Sequence, residues 1–513
     1  MNHSPLLEVR NLCLGFPNRN SYKEILKDLS FTVRRGEILG LIGNSGSGKS
    51  ITSLAISDLL PKEAEITGGE IIFEGNDLLK MKSRDRRKLL GRDIGIVFQE
   101  PKTALDPLMR IGRNLDEILT AHGITDKAER RSKILDMLRK VDFDNPEEIC
   151  ERFPHQLSGG QRQRILIAGA ALLSPKLLLC DEVTSALDTV TTVEVLDLLR
   201  SLCFELKITI LFISHDLSAV ENFCDRVMVM KDGEIIDSDN TYDILHTPKN
   251  AFTAKLLESA KLDARALDLT TADCDYSKSP VMTVRDLCVG YGKKIIIPSL
   301  DMEMYPKEIL GLIGSSGCGK TTLSKAICKL LPSRGEINIK GGRPGTVFQD
   351  PVSCLNPSHT VLWHMKEAVR STGRKPDSGE INRILEEVGL DQEFLSRYPS
   401  ELSGGQRQRV AIGMCLIAEP QLIIADEPFS SLDATTAAEI LKLLAKINRE
   451  RGMAILLISH NLHIVRALCK RVIIMGRGKI DEVGMTKEIL DDPKSESGIR
   501  LLTAENKLHG RQM

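Results

Sequence analysis

The chain has 513 residues, 42% of them hydrophobic and 27% charged, and its 69 basic and 70 acidic side chains nearly cancel. At about 100–200 residues per domain, that length implies two to four globular domains, and the composition excludes disorder, a collagen repeat or a disulfide knot. The balanced charge disfavours a generally basic nucleic-acid coat, and 4% aromatics with a single tryptophan, Trp363, disfavour a base-stacking platform.

No apolar run approaches the roughly 18 residues of a membrane-spanning helix. Neither a signal-peptide core nor a lipidation motif is visible, so no lipid anchor is expected. The 12 cysteines include no C-x-x-C pair and read as small core residues of a reducing cytosol.

In chain order, Glu37–Ile42 is an apolar run expected to form a strand. It meets the octapeptide Gly43, Asn44, Ser45, Gly46, Ser47, Gly48, Lys49 and Ser50, after which Ser50–Leu60 has helical character. G-x-x-x-x-G-K-[ST] between strand and helix is a specific signal. The glycines let backbone N–H groups face phosphates, Lys49 reaches the β/γ-phosphates, and the Ser50 hydroxyl ligates Mg²⁺. The basic run Arg84–Lys88 is interrupted by Asp85 and reads as a solvated helix face. Val97-Phe98-Gln99 comes next, then LSGGQRQR at Leu157–Arg164, which opens a helix over Gln161–Leu173.

Leu177–Cys180 and Thr209–Ser214 are short, branched and fully apolar, as strands of a buried parallel sheet should be. Between them Thr192–Leu206 is amphipathic, with Val193, Leu196, Leu199 and Leu202 near helical spacing. Asp181 ends the first of these strands, where a carboxylate can hold hydrated Mg²⁺. Glu182 follows and can orient or deprotonate an attacking water. His215 ends the second strand and can donate to a γ-phosphate. Strand, loop and helix in alternation imply an α/β fold with its sites at the carboxyl ends of the strands.

All of this recurs. GSSGCGKT, the run Gly314, Ser315, Ser316, Gly317, Cys318, Gly319, Lys320 and Thr321, lies 271 positions beyond the first such loop. Phe98-Gln99 returns as Phe348-Gln349 at a spacing of 250, and LSGGQRQR returns letter for letter at Leu402–Arg409, a spacing of 245. Asp426-Glu427 and His460 keep that 245, so one rigid unit was copied. The copies meet at Leu262–Pro280, rich in Asp, Thr and Ser, whose 19 residues span at most about 60–70 Å.

The repeated Leu-Ser-Gly-Gly-Gln-Arg-Gln-Arg resembles the signature of ABC ATPases. The likeness runs from Leu7 to about Ala260 and from Val281 to about Leu502. It implies ATPase domains over 6–261 and 281–513 joined by a linker over 262–280. Each would have a mainly parallel core sheet and a helical subdomain, and the two would form an intramolecular head-to-tail pseudo-dimer rather than a homodimer. It also implies ATP and Mg²⁺ at two composite sites. Site one would join Lys49, Ser50, Gln99, Asp181, Glu182 and His215 to Ser403, Gly404 and Gly405. Site two would join Lys320, Thr321, Gln349, Asp426, Glu427 and His460 to Ser158, Gly159 and Gly160. Ser50, Gln99 and Asp181 would hold the metal in one site, and Thr321, Gln349 and Asp426 in the other. Glu182, His215 and Gln99, with Glu427, His460 and Gln349, would carry hydrolysis. Ser185–Asp188 and Ser430–Asp433 resemble the loops that face each other across the dimer. Phe16, beside Pro17 in a loop, and Tyr291 resemble the adenine-stacking aromatic. Val183 departs from the family's proline, which Pro428 keeps.

FQEPKTALDP (98–107) and FQDPVSCLNP (348–357) resemble the dipeptide, oligopeptide and nickel importer branch, as does the tail TPKNAFTAKLLES at 247–259. The second tail, 492–504, keeps less of that pattern, and no iron–sulfur cluster is expected. This branch implies two membrane permease subunits, a solute-binding protein acting through them, and a peripheral place on the cytoplasmic side of the inner membrane. Leu108, Met109 and Ile111, and Trp363 and Met365, are the expected permease-facing residues. The competing class is a soluble double ATPase acting on ribosomes or activating another enzyme; the short acidic joint counts against the ribosomal form.

Overall fold

The computed structural model describes residues 5–508 except 19–20, 45, 99–103, 186, 261–268, 293, 349–353 and 430–431. They fall into two compact units. One takes Met1–Leu187, Thr191–Glu258 and Lys507–Met513, and the other takes Asp188–Val190 and Ser259–Asn506.

The core sheet of the first unit runs Glu234–Asn240, Arg226–Lys231, Ile38–Gly43, Thr209–Ile213, Leu177–Asp181, Ile94–Val97 across its width. All its pairings are parallel except that of the Glu234–Asn240 edge. The strands are apolar on both faces because both are covered. Ile210, Phe212, Val227 and Val229 point into a cluster built with helices. Their alternates Leu211, Ile213, Met228 and Met230 point into one built with Leu7, Val9, Leu12 and Leu14 of a second, antiparallel sheet. That sheet runs Ser21–Val33, Leu7–Asn18, Glu65–Phe73, Asn76–Asp77. The strand order sets Ile38–Gly43 beside chain that arrives some 170 residues later, so distant motifs converge at one edge.

The second unit repeats the plan. Its core sheet runs Gly345–Val347, Leu422–Asp426, Ala454–Ile458, Ile309–Ile313, Arg471–Gly476, Lys479–Met485. An antiparallel sheet around Met282–Tyr291 covers one face, with Leu310, Leu312, Ile424, Leu456 and Met475 packed beneath it. In both units a helical layer follows the Phe-Gln element. Ile111–Ala121 buries Ile111, Leu115 and Leu119 at four-residue spacing, and Val361–Ser371 buries Val361, His364, Met365 and Val369. The basic helix Ser83–Leu89, absent from the second copy, buries nothing.

Part of the joint is fastened to the second unit. Leu269 is buried, and the Ala272 N–H donates to Asn448 Oδ1 at 2.8 Å. Tyr276 lies edge-on to Tyr305, and the Arg471 guanidinium faces both rings. Asn448 is fully buried, and its Nδ2 donates to Lys307 O and Met453 O, so the amide is completely paired. The corresponding residue of the first unit is Cys203.

Candidate functional site

Each phosphate-loop lysine is drawn into its own loop. Lys49 Nζ donates to Gly43 O at 2.8 Å and Asn44 O at 2.9 Å, and Lys320 Nζ donates to Gly314 O at 2.6 Å and Ser315 O at 3.2 Å. The first glycine is needed for packing as well as for the turn. A Cβ on Gly43 or Gly314 would collide with the carbonyl of Met230 or Met475 on the next strand. The last, Gly48 or Gly319, starts the helix at φ 108° or 112°, in left-handed space. Ser45 lies outside the described residues.

Next to the loop, Ser50 Oγ donates to Asp181 Oδ1 at 3.1 Å and Ser53 Oγ to Oδ2 at 3.4 Å. In the second unit Ser324 Oγ donates to Asp426 Oδ2 at 2.9 Å, while Asp426 Oδ1 is buried with no partner among the described residues. Burial raises the pKa of both aspartates, opposed by the serine hydroxyls and reinforced by the adjoining glutamates. A buried carboxylate with a spare oxygen beside a hydroxyl suits a hard, oxygen-seeking cation that also takes phosphate oxygens. The residues present therefore fit Mg²⁺. Ser53 and Ser324 were not singled out in sequence, although Ser53 stands one helical turn from Ser50.

Glu182 and Glu427 both have φ 49°. That is left-handed backbone in a residue with a Cβ, and such strain costs about 1–3 kcal/mol. The same strain recurs at the same place in both copies, where the chain leaves the strand and the N–H reaches back to Ile213 O or Ile458 O. His215 Nδ1 lies 3.4 Å from Glu182 Oε1, and Ser185 Oγ donates to Oε2 at 2.9 Å. His460 Nδ1 lies 2.8 Å from Glu427 Oε2. Burial works against the charge on Glu182, but the bond and charge of His215, with Ser185, more than offset it and lower its pKa. Burial likewise opposes the imidazolium of each histidine, and the partnering glutamate outweighs it, so both pKa values are raised. Val183, at the place of Pro428, is buried. Gln99 and Gln349 lie outside the described residues.

The LSGGQ stretches carry a capping box. Ser158 Oγ accepts from Gln161 N–H at 3.2 Å while Ser158 N–H donates to Gln161 Oε1 at 3.0 Å, and Ser403 and Gln406 repeat this at 3.3 and 2.9 Å. Since the hydroxyl accepts here, its own proton stays available to an outside acceptor. S-x-x-Q ahead of a helix is the sequence signal for such a box. A Cβ on Gly160 would stand 2.6 Å from Thr191 Cγ2, and one on Gly405 would overlap Thr436 Cγ2. These threonines were not foreseen, since their approach is tertiary. Ser158 and Ser403 cap the helices Gly159–Ala171 and Gly404–Ile417, and Gly159 and Gly404 supply their first N–H groups, which a helix leaves without an i−4 carbonyl.

Phe16 is in the strand Leu7–Asn18, paired with Lys23, rather than in a loop. Tyr291 ends the strand Met282–Tyr291 and is 48% exposed. Tyr22, not noted in sequence, packs across Gly15 beside Phe16 and donates its hydroxyl proton to Glu65 O at 3.2 Å. Of the expected permease-facing residues, Ile111 and Met365 are core side chains, whereas Leu108 is 86% and Trp363 37% exposed. Ala186, Ser430 and Ser431 of the facing loops lie outside the described residues.

A phosphate loop with its lysine, a strand-end aspartate bonded to helix hydroxyls, and a glutamate–histidine pair define a P-loop nucleoside triphosphatase, here built twice. Residues 26–185 and 297–430 match the ABC transporter family model. The chain belongs to that family, as an ATP-binding ATPase with two fused cassettes. The Escherichia coli (strain K12) protein YejF, described as an uncharacterized ABC transporter ATP-binding protein, is 37% identical to it, covering 97% of this chain and 99% of that one. The Agrobacterium fabrum peptidoglycan transport ATP-binding protein YejF is 36% identical, covering 98% and 97%. The Pectobacterium atrosepticum glutathione import ATP-binding protein GsiA is 33% identical, covering 97% and 89%. Among the described residues no helix is long and apolar enough to cross a membrane.

Proposed function

We propose that the chain is the motor subunit of an importer for peptides or another small solute, working from the cytoplasmic face of the inner membrane on two separate permease subunits. The carrying observation is that both copies hold a full lysine, aspartate, glutamate and histidine set at matching places in the fold. The printed roles of the Agrobacterium and Pectobacterium relatives, peptidoglycan transport and glutathione import, support the solute class. The cassettes are taken as 6–261 and 281–513, linked by 262–280. ATP would be held by Lys49 and Lys320 with the loop N–H groups, Tyr291 and Phe16 stacking on adenine. Each site would be completed by Ser158, Gly159 and Gly160, or Ser403, Gly404 and Gly405, of the opposite cassette.

Ser50, Asp181 and Gln99, and Thr321, Asp426 and Gln349, would hold Mg²⁺, which supplies charge neutralisation at the β/γ-phosphates. Glu182 and Glu427 would accept a proton from the attacking water, each beside its histidine. His215 and His460, whose pKa values the partnering glutamates raise against burial, would donate toward the γ-phosphate. Closure on ATP and release after hydrolysis form a two-state switch passed to the permease through the segments after the glutamine elements. The test is affinity purification of the tagged chain from gently solubilised native membranes. Two multi-spanning subunits should co-purify; recovery with ribosomes or with a soluble enzyme alone would overturn the reading.

A further inference from the structure

The segment after each glutamine element is held by a residue on the following helix, and the two copies hold it by different chemistry. In the first copy Asn114 Oδ1 accepts from the Asp106 N–H at 3.0 Å, and Nδ2 donates to Met109 O and Arg110 O, each at 3.2 Å. In the second, 250 positions on, His364 Nε2 accepts from the Asn356 N–H at 2.8 Å, and Nδ1 lies 2.8 Å from Thr360 O. The same two backbone groups are thus gripped, by an amide in one copy and by an imidazole in the other. A ring nitrogen accepts only while it carries no proton, so Nδ1 is the donor and the ring is neutral.

His364 is 3% exposed. A proton on Nε2 would set two donors face to face in a site closed to bulk solvent. Among the described residues the titratable group facing it is His359, stacked on Trp363 at 3.9 Å, with Trp363 edge-on to His364 at 5.2 Å. On its own helix Glu367 pairs with Arg370. On the packed helix Gly404–Ile417, Arg407 is bonded to Pro399 O and Arg409 to Val388 O and Glu439; beside Gln392–Ser396, Glu393 pairs with Arg397. None of these bonds reaches the ring. Burial, reinforced by His359 and opposed by the bond to Thr360, lowers the His364 pKa.

We propose that His364 is a proton-sensitive latch on the Asn356–Thr360 segment, so that mild acid releases the second copy's permease-facing segment while Asn114 keeps the first in place. The permease-facing part of this statement rests on the function proposed above. Below the free imidazole pKa, about 6.5, the released ring takes up a proton that the latched ring refuses, and opening gains about tenfold per pH unit.

Hydrogen exchange of the full chain, read on peptides spanning Asn356 and Asp106 in one sample, tests it. After correction for intrinsic rates, protection of the Asn356 amide should fall about tenfold from about pH 7.5 to about pH 5.5, with Asp106 unchanged. H364N should abolish the pH dependence while keeping some protection, N114H should confer it on Asp106, and H359Q should leave it in place. A purely structural His364 would alter protection equally at every pH. A pH-independent Asn356 amide, or an unchanged dependence in H364N, would overturn the latch. Because no permease is present, that failure is separate from failure of the importer reading, which co-purification decides.

Discussion

Glu182 and Glu427 leave their strands in a backbone conformation that residues with a Cβ seldom take, and each then meets a histidine. On the proposal that both copies hydrolyse ATP, E182Q and E427Q should each lower steady-state ATPase by at least about half, and the double variant by roughly 10²–10⁴. A single variant with full activity would remove the two-site claim. The pair also has a pH signature. The raised pKa of His215 gives stability that is complete below about 6.5 and is lost as pH rises through the folded value. The lowered pKa of Glu182 gives stability that is present above about 4.5 and is lost as pH falls through its folded value. The two overlap between about pH 4.5 and 6.5. Thermal unfolding should therefore show H215Q losing most against the parent near about pH 5.5, and less as pH rises past the raised histidine value.

The elements show why some of the site was legible and some was not. Phosphate loop, acidic strand end and LSGGQ are each contiguous, and an apolar run before a glycine turn is enough to place them on strand, loop or helix. Ser53, Thr191 and Tyr22 were missed because their partners lie at the end of a distant strand, on another helix or on the neighbouring strand. Ile111 and Met365 were misassigned because helical spacing marks a face without saying what covers it. The Gly160–Thr191 contact tests this tertiary reading. G160A should destabilise the first unit by about 1–3 kcal/mol in chemical denaturation, and T191S, which removes Cγ2, should restore most of that loss in the double variant. Strict additivity would mean that the two residues do not press on one another.

At the scale of the molecule, duplication was plain from spacing alone, but the character of the joint was not. Its polar composition suggests a simple tether, whereas Leu269, Ala272 and Tyr276 are fastened to the second unit and complete the bonding of Asn448. Without them a buried amide oxygen goes unpaired, at about 1–3 kcal/mol, and a leucine loses its cover, at about 1.5–3 kcal/mol. A fragment beginning at Leu269 should therefore melt at least about 5 °C above one beginning at Val281. Equal melting temperatures would show that the strap adds nothing.

The divergence between the copies has a practical side as well. The chain's single tryptophan, Trp363, sits next to His364 and against His359, and the first copy has Arg113 in its place. Intrinsic fluorescence of the unlabelled protein, excited where only indole absorbs, therefore comes from one cassette alone. Any emission change on adding nucleotide, acid or permease can be assigned to the second copy without a dye or an engineered probe.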